Sequence, residues 1–322
     1  MRRRDFLKLA GATVTAGLPM RASAQAQAWP DKPVKFIVPY APGGGSDLIG
    51  RPWAEKLSQA FGQQFVIENR GGASGMIGTE AASKAAPDGY TFLLTPNATL
   101  SVLPNMRKTP YDPNSFLPVS RIGDFVTGFS MHPAVGPRTF KEMIDYAKAN
   151  PGKLSYGSAG LGTATHLRLE MLKYRAGIDI LHVPYRGSAD ALNDLLPNTV
   201  QMMNEINNIP HIKAGRLHLL NVNHTARHPE FPDIPTLTEL GMPNSDVPIW
   251  YAIMAPAGTS QEIIVKLNAK CTEIANTEDM QARMRAISAA LPIQTPAEIV
   301  AYRDQDSARN AEVIKGANIR LE

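Results

Sequence analysis

An α/β fold with mostly parallel sheets is predicted by three observations. Short apolar runs alternate with amphipathic segments along the chain, glycine- or proline-bearing turns separate them, and capping signals recur where the amphipathic segments begin. Val34–Val38 is an apolar run ending at Pro39, as a buried strand would, and Gly43-Gly44-Gly45-Ser46-Asp47 follows it. Leu48, Ile49, Trp53, Ala54 and Leu57 then share one helical face, with Ser46 or Asp47 as the natural N-cap and Gly62 as the stop. The pattern repeats as strand 65–67, glycine loop 70–78, helix 79–86, a Pro87-Asp88-Gly89 turn and strand 90–94.

Farther on, Thr139-Phe140-Lys141-Glu142 is a capping box that opens a helix to about Ala149. Strand 154–157 leads through loop 158–163 into a helix carrying Leu167, Met171 and Leu172, stopped by Gly177. Segments 180–183, 200–203 and 217–222 read as further strands. Thr259-Ser260-Gln261-Glu262 and Thr295-Pro296-Ala297-Glu298 are two more capping boxes, the second with proline at the favoured first helical position.

The first residues carry an address rather than a fold. Arg2-Arg3-Arg4-Asp5-Phe6-Leu7-Lys8 reads as a twin-arginine export signal, followed by an apolar stretch too short and too interrupted to span a bilayer. Ala22-Ser23-Ala24 supplies the small-residue cleavage site, so 1–24 is expected to be a signal peptide and the protein periplasmic. The chain has 33 Lys+Arg against 29 Asp+Glu; five of the basic residues and one acidic residue fall within 1–24, which leaves the remainder balanced. A basic footprint for nucleic acid is therefore absent. The single cysteine, Cys271, sits in an apolar-periodic segment and reads as a buried helix residue. The chain beyond the leader is longer than one hydrophobic core usually serves, so about two domains are expected.

One arrangement recurs with chemical meaning: strand, Gly/Ser/Thr loop, helix start, at 43–47, 71–78 and 158–166. Unpaired N–H groups of a first helical turn, aided by the helix dipole, bind carboxylate, phosphate or sulfate without a cationic side chain. Three such ends around one crevice would make a site for a small anion. Sharper chemistry fails on spacing. No segment supplies a P-loop, the dinucleotide fingerprint has Leu48 or Thr165 where its third glycine belongs, and neither Ser74 nor Ser158 has the flanking glycines of a nucleophile elbow. His211, His218, His224 and His228 show no metal spacing, and the last two, beside prolines, read as solvated loop histidines. No cofactor or metal is expected.

Several stretches together resemble the Bug-type extracytoplasmic solute receptors of the tripartite tricarboxylate transporter family. They include Ala41-Pro42-Gly43-Gly44-Gly45-Ser46-Asp47, Pro87-Asp88-Gly89-Tyr90-Thr91, Tyr156-Gly157-Ser158-Ala159-Gly160 with Gly162-Thr163 and Thr165-His166-Leu167, and Val183-Pro184-Tyr185-Arg186-Gly187. Pro232-Asp233-Ile234-Pro235-Thr236 and Ala255-Pro256-Ala257-Gly258-Thr259 continue the resemblance in family order. It implies a type II-like periplasmic binding protein fold, two α/β lobes with a ligand cleft between them. Lobe 1 would hold 29–125 plus 248–322, and lobe 2 would hold 126–247. It further implies a monomer that closes on a small organic carboxylate and delivers it to two integral-membrane transporter subunits, without catalysis.

Carried over position by position, the resemblance places ligand contacts at Gly44, Gly45, Ser46 and Asp47, at Thr95 and Asn97 after the third strand, and at Ser158, Gly160, Thr163, His166 and Tyr185. Each has a plainer reading: Ser46 and Thr163 as caps, Asp47 as a loop-ordering group, His166 and Tyr185 as packed side chains. Glu205 stands where the family usually has aspartate, either as a cleft carboxylate or as a surface glutamate at a helix start. A ligand-sensing partner of a signalling membrane protein, or an exported enzyme, are the alternative functions.

Overall fold

The computed structural model describes residues 29–243, 245–316, 318 and 319; the export signal expected over 1–24 lies outside them. Val34–Val38 forms β1, and Gly45–Phe61 forms α1, whose Ile49, Trp53, Ala54 and Leu57 fall on one buried stripe. Gly62 ends that helix in the left-handed conformation (φ 69°), where a side chain would be strained, and its N–H donates to Ser58 O. The N-cap is Gly44 rather than Ser46 or Asp47, both of which lie inside the first turn. Then come β2 (Phe65–Asn69), α2 (Met76–Ser83), β3 (Thr91–Pro96), a widened helical turn at Ala98–Val102, α3 (Leu103–Met106) and β4 (Phe116–Phe125).

The middle of the chain builds β5 (Ser130–Met131), α4 (Phe140–Ala149), β6 (Ser155–Ser158), α5 (Ala164–Ala176) and β7 (Leu181–Pro184). It continues with α6 (Ser188–Leu195), β8 (Met202–Met203), α7 (Ile209–Lys213) and β9 (His218–Leu219). The last part returns with β10 (Ile249–Pro256), α8 (Gln261–Ala275), α9 (Glu278–Ala286), β11 (Ala289–Ala290) and α10 (Pro296–Gly316).

Two sheets result, one with strand order β11-β4-β10-β3-β1-β2 and one with order β7-β6-β8-β5-β9. Both are mixed rather than mostly parallel. The β1–β2, β1–β3, β6–β7 and β6–β8 pairs are parallel, whereas β10 runs antiparallel to β3 and β4, and β5 antiparallel to β8 and β9. The reason lies in the strands that leave and re-enter the first sheet. β4 carries the chain out to the second sheet and β10 brings it back, so they pair head to tail. Every residue of β10 is buried, as for a strand covered on both faces.

Each sheet has its own core. Phe36, Trp53, Phe92 and Phe125 gather under the first, and Phe129, Tyr156, Leu169 and Met202 under the second. The Thr139–Glu142 capping box forms as expected, and so does the reciprocal Thr295–Glu298 pair ahead of α10. At α8 the cap is Ser260, whose hydroxyl accepts the Glu262 N–H, while Thr259 donates to Pro256 O instead. Cys271 is buried in α8, and burial pushes its thiol up to about 12. His228 is not solvated: it is 2% exposed and packs against Phe231. No described helix is long and apolar enough to cross a membrane.

Candidate functional site

Between the two sheets lies a hollow, and three helices point their N-termini at it. The first is α1. Gly43 (φ 81°) turns the chain in the left-handed region, and Gly44, in extended conformation, lets the helix begin. Gly45 has no room for a side chain, because a Cβ there would sit 2.8 Å from the Tyr251 hydroxyl and 2.9 Å from Phe125. The glycine run therefore brings bare backbone to the cleft wall, with the Gly45 and Ser46 N–H groups free of intrahelical partners.

The second terminus is that of α5. Thr163 caps it by accepting the His166 N–H (3.3 Å), and its own hydroxyl donates to Gly160 O (2.7 Å). Gly160 (φ 124°) and Gly162 (φ 76°) supply the left-handed turns that fold the loop back on itself. The third terminus belongs to α6, capped by the extended Gly187; Asn207 anchors it by donating its side-chain amide to Ser188 O (3.0 Å). Among the described residues, no Lys, Arg or His lines the hollow. Any anion held there is held by N–H groups, hydroxyls and helix dipoles.

Of the positions singled out in the sequence, Gly44, Gly45, Ser46, Thr163 and Glu205 line the hollow. The others stand behind it and hold those in place. The Asp47 carboxylate accepts the Gly43 N–H (2.9 Å), the Asn69 amide (2.8 Å) and Arg51 (2.8 Å), clamping the glycine loop. Thr95 shares a hydrogen bond with Thr99 (2.8 Å), and Asn97 donates to the buried Asp306 (3.1 Å). Ser158 lies 2.6 Å from His182 Nε2, and Gly160 donates its N–H to the same hydroxyl (3.1 Å). His166 accepts the Gly162 N–H at Nδ1 (3.1 Å) and stacks on His182 with ring centroids 4.2 Å apart. Tyr185 donates to Asp194 (2.6 Å) and borders the α6 side of the loop.

Burial sets the electrostatics. Glu205 is 5% exposed at the start of a short helical turn, Ile206–Asn208. It is not a surface residue. Burial pushes its carboxyl up to about 7, against the opposing pull of Arg168 and the Ile206 N–H. Arg168, 6% exposed on α5, donates to Asn204 Oδ1 (2.8 Å) and to Val247 O, and desolvation brings it down to about 10. The Ser158–His182 pair resembles a nucleophile and base only in outline. Ser158 is wholly buried, and burial lowers His182 to about 4, too weak a base to activate a hydroxyl.

A family model described as the tripartite tricarboxylate transporter family receptor matches residues 49–318. The chain belongs to that family. It is 34% identical to Protein BugT of Bordetella pertussis over 95% of both chains. Among solved structures it matches R. palustris Rpa4515 with adipate at a TM-score of 0.87, with 32% identity over 91% of this chain and 99% of that one. It also matches MatC from Rhodopseudomonas palustris with bound malate, at a TM-score of 0.83 and 26% identity over 88% and 99% of the two chains. As a member of this receptor family it is a solute-binding protein and not an enzyme.

Five polar cleft residues of this receptor went unread in the sequence: Tyr40, Thr165, Ser188, Asp190 and Tyr251. Ser188 had a signal, since Tyr185-Arg186-Gly187-Ser188 repeats the strand, glycine, serine, helix order with a single glycine. The loop at 71–78 does not line the hollow. It meets the other lobe at the rim, where a Cβ on Gly160 would be 3.5 Å from Ser74 Oγ. Tyr251 had none, because β10 reads as a uniformly apolar strand and only its pairing with β3 and β4 places the ring at the cleft.

Proposed function

We propose that this receptor is exported through the twin-arginine signal in 1–24, works in the periplasm as a monomer, and closes its two lobes on one small organic carboxylate. Two integral-membrane subunits then receive the ligand. The lobes divide at 125/126 and 247/248, where β4 leaves the first sheet and β10 rejoins it. The observation that carries this reading is the convergence of the N-termini of α1, α5 and α6 on one hollow without a cationic side chain among its described lining residues. A carboxylate fits that arrangement, since its charge is spread over two acceptor oxygens and several N–H groups can share it. Adipate in Rpa4515 and malate in MatC are acids of the same kind.

Gly44, Gly45, Ser46, Thr163 and Ser188 contact the carboxylate in this reading, while Asp47, Ser158, Gly160 and His166 shape the loops that present them. Closure results from a ligand that touches both lobes, because only contacts made in the closed form favour it. A thermal-shift screen of mono-, di- and tricarboxylic acids against residues 25–322 tests the proposal. A ligand at a hundredfold excess over its Kd stabilises the fold by about 2.7 kcal/mol, a readily visible shift. If the panel leaves the melting temperature unmoved while amino-free sugars or cations raise it, the carboxylate reading is lost.

A further inference from the structure

Two acidic side chains border the hollow: Asp190, exposed on α6, and Glu205, buried in the wall. The charged and titratable groups facing Glu205 are Arg168 from α5, Tyr156 from β6, Tyr251 from β10 and Tyr40 from the β1–α1 loop. Arg168 is already committed to Asn204 and Val247, and among the described residues no ion pair to Glu205 forms. The three tyrosines are ordinary phenols that burial keeps protonated. Glu205 therefore brings an acceptor to the cleft wall whose charge no neighbouring cation among the described residues cancels by contact.

We propose that Glu205 sets the ligand class: the cleft takes a monocarboxylate whose second polar group donates a hydrogen bond, a hydroxyl or an ammonium, in preference to a dicarboxylate. This rests on the carboxylate reading above. The helix N-termini satisfy one carboxylate. A second one beside Glu205 would meet like charge in a pocket where solvent screens little. A hydroxyl or ammonium there gives Glu205 a charge-assisted partner instead.

The same geometry makes dicarboxylate capture proton-linked. Two carboxyl groups can share the site only with a proton between them, and burial has already brought Glu205 to about 7. A diacid then binds with uptake of one proton, and its affinity falls as pH rises above that value. An ammonium ligand needs ionised Glu205 and strengthens over the same range. A hydroxyl ligand is nearly indifferent, since it donates to the carboxylate and accepts from the acid.

Calorimetry on the purified protein with two matched series decides the matter: succinate, 4-hydroxybutyrate and 4-aminobutyrate, then adipate, 6-hydroxyhexanoate and 6-aminohexanoate. At about pH 8 the hydroxy or amino acid of a series is expected to bind at least about tenfold more tightly than its diacid. The diacid should weaken by about tenfold per pH unit above the Glu205 titration, with one proton taken up per ligand in buffers of different ionisation heat. Glu205→Gln should flatten that pH dependence and weaken the amino acids. A diacid that binds wild-type protein as tightly as its hydroxy analogue at about pH 8, with no proton uptake, overturns the inference and leaves the carboxylate reading standing. Failure of all six ligands overturns both. The wild-type comparison decides the outcome even if the Gln variant does not fold.

Discussion

Gly44 and Ser188 face each other across the cleft so closely that a Cβ on Gly44 would lie 3.0 Å from Ser188 Oγ. Gly44 caps α1 and Ser188 opens α6, so the contact joins the helix starts of opposite lobes. Gly187 approaches Ala41 in the same seam, with 3.7 Å between a Cβ on Gly187 and the Ala41 methyl. The two walls therefore meet at this seam, and absent side chains are what allow them to.

Gly44→Ala should loosen closure without unfolding either lobe. The backbone at Gly44 (φ −86°, ψ −176°) is one that alanine adopts freely, so the cost falls on the contact with Ser188. Overpacking of this kind costs about 1–3 kcal/mol, which predicts about a fivefold or greater loss of ligand affinity. Ser188→Ala in the same chain should restore part of it, because the crowded oxygen is gone. Titration calorimetry on the two single variants and the double variant reads this directly. Additive losses would show that the two positions do not meet in the bound state.

Arg168→Met should destabilise the fold itself. The guanidinium is buried, bonds the Asn204 side chain and the Val247 carbonyl, and sits near the buried acid of the cleft wall. Removing it leaves two buried acceptors, Asn204 Oδ1 and the Val247 carbonyl, without their donor, which costs about 1–3 kcal/mol. Urea unfolding should show a lower midpoint at unchanged slope. An unshifted midpoint would mean that Arg168 contributes no net stability.

How much of the fold and the cleft was legible in the sequence can be traced to particular residues. The α1 glycine loop and the α5 loop announced themselves because a helix start with bare backbone needs glycine and small polar residues in sequence order. That Asp47 orders its loop could be read from its place beside the glycines, but its partner Asn69, on β2, could not, since only folding brings that amide to the carboxylate. Antiparallel pairing of β4 and β10 escaped for the same reason: strand direction is set by where the chain crosses between sheets, a long-range property with no local signature. His228 looked solvated by its prolines, but tertiary packing against Phe231 buries it. Local grammar was readable, and partners distant in sequence were not.

Asp47→Asn should weaken the cleft through its loop and remove a contribution to acid stability. Burial by itself would push the Asp47 carboxyl up, but the Asn69 amide, the Gly43 N–H and Arg51 outweigh it and hold the group below the usual range. A carboxyl lowered by folding stabilises above its unfolded pKa of about 4 and loses that contribution as pH falls below it. The wild-type protein should therefore lose stability on acidification through that window, and the Asn variant should show a shallower slope there. Loss of the charge-assisted bonds costs about 1 kcal/mol at neutral pH. Melting temperatures collected from about pH 7 to pH 3 distinguish the two slopes, and identical slopes would remove Asp47 from the account.

The stacked pair His166 and His182 predicts a second acid-sensitive step at higher pH. Burial is the main cause that lowers each ring to about 4, and the neighbouring charge of Lys173 and the facing ring add to it. Both are therefore neutral in the fold, whereas unfolded histidine titrates near about 6.5. A base lowered by folding contributes stability above its unfolded pKa, and that stability drains away as pH falls from about 6.5 towards 4. Protonation would also place two cations at 4.2 Å ring separation and disturb His182's bond to Ser158, at the loop that opens α5. Ligand affinity and stability should decline together over this range. His182→Gln leaves one titrating ring and should reduce the decline, while Lys173→Met, which removes the neighbouring cation but neither ring, should move the affinity decline to higher pH and lessen the stability lost on acidification. Thermal melts and ligand titrations at intervals between about pH 7 and pH 4 provide the check, and a profile unaltered in His182→Gln would place the acid sensitivity elsewhere.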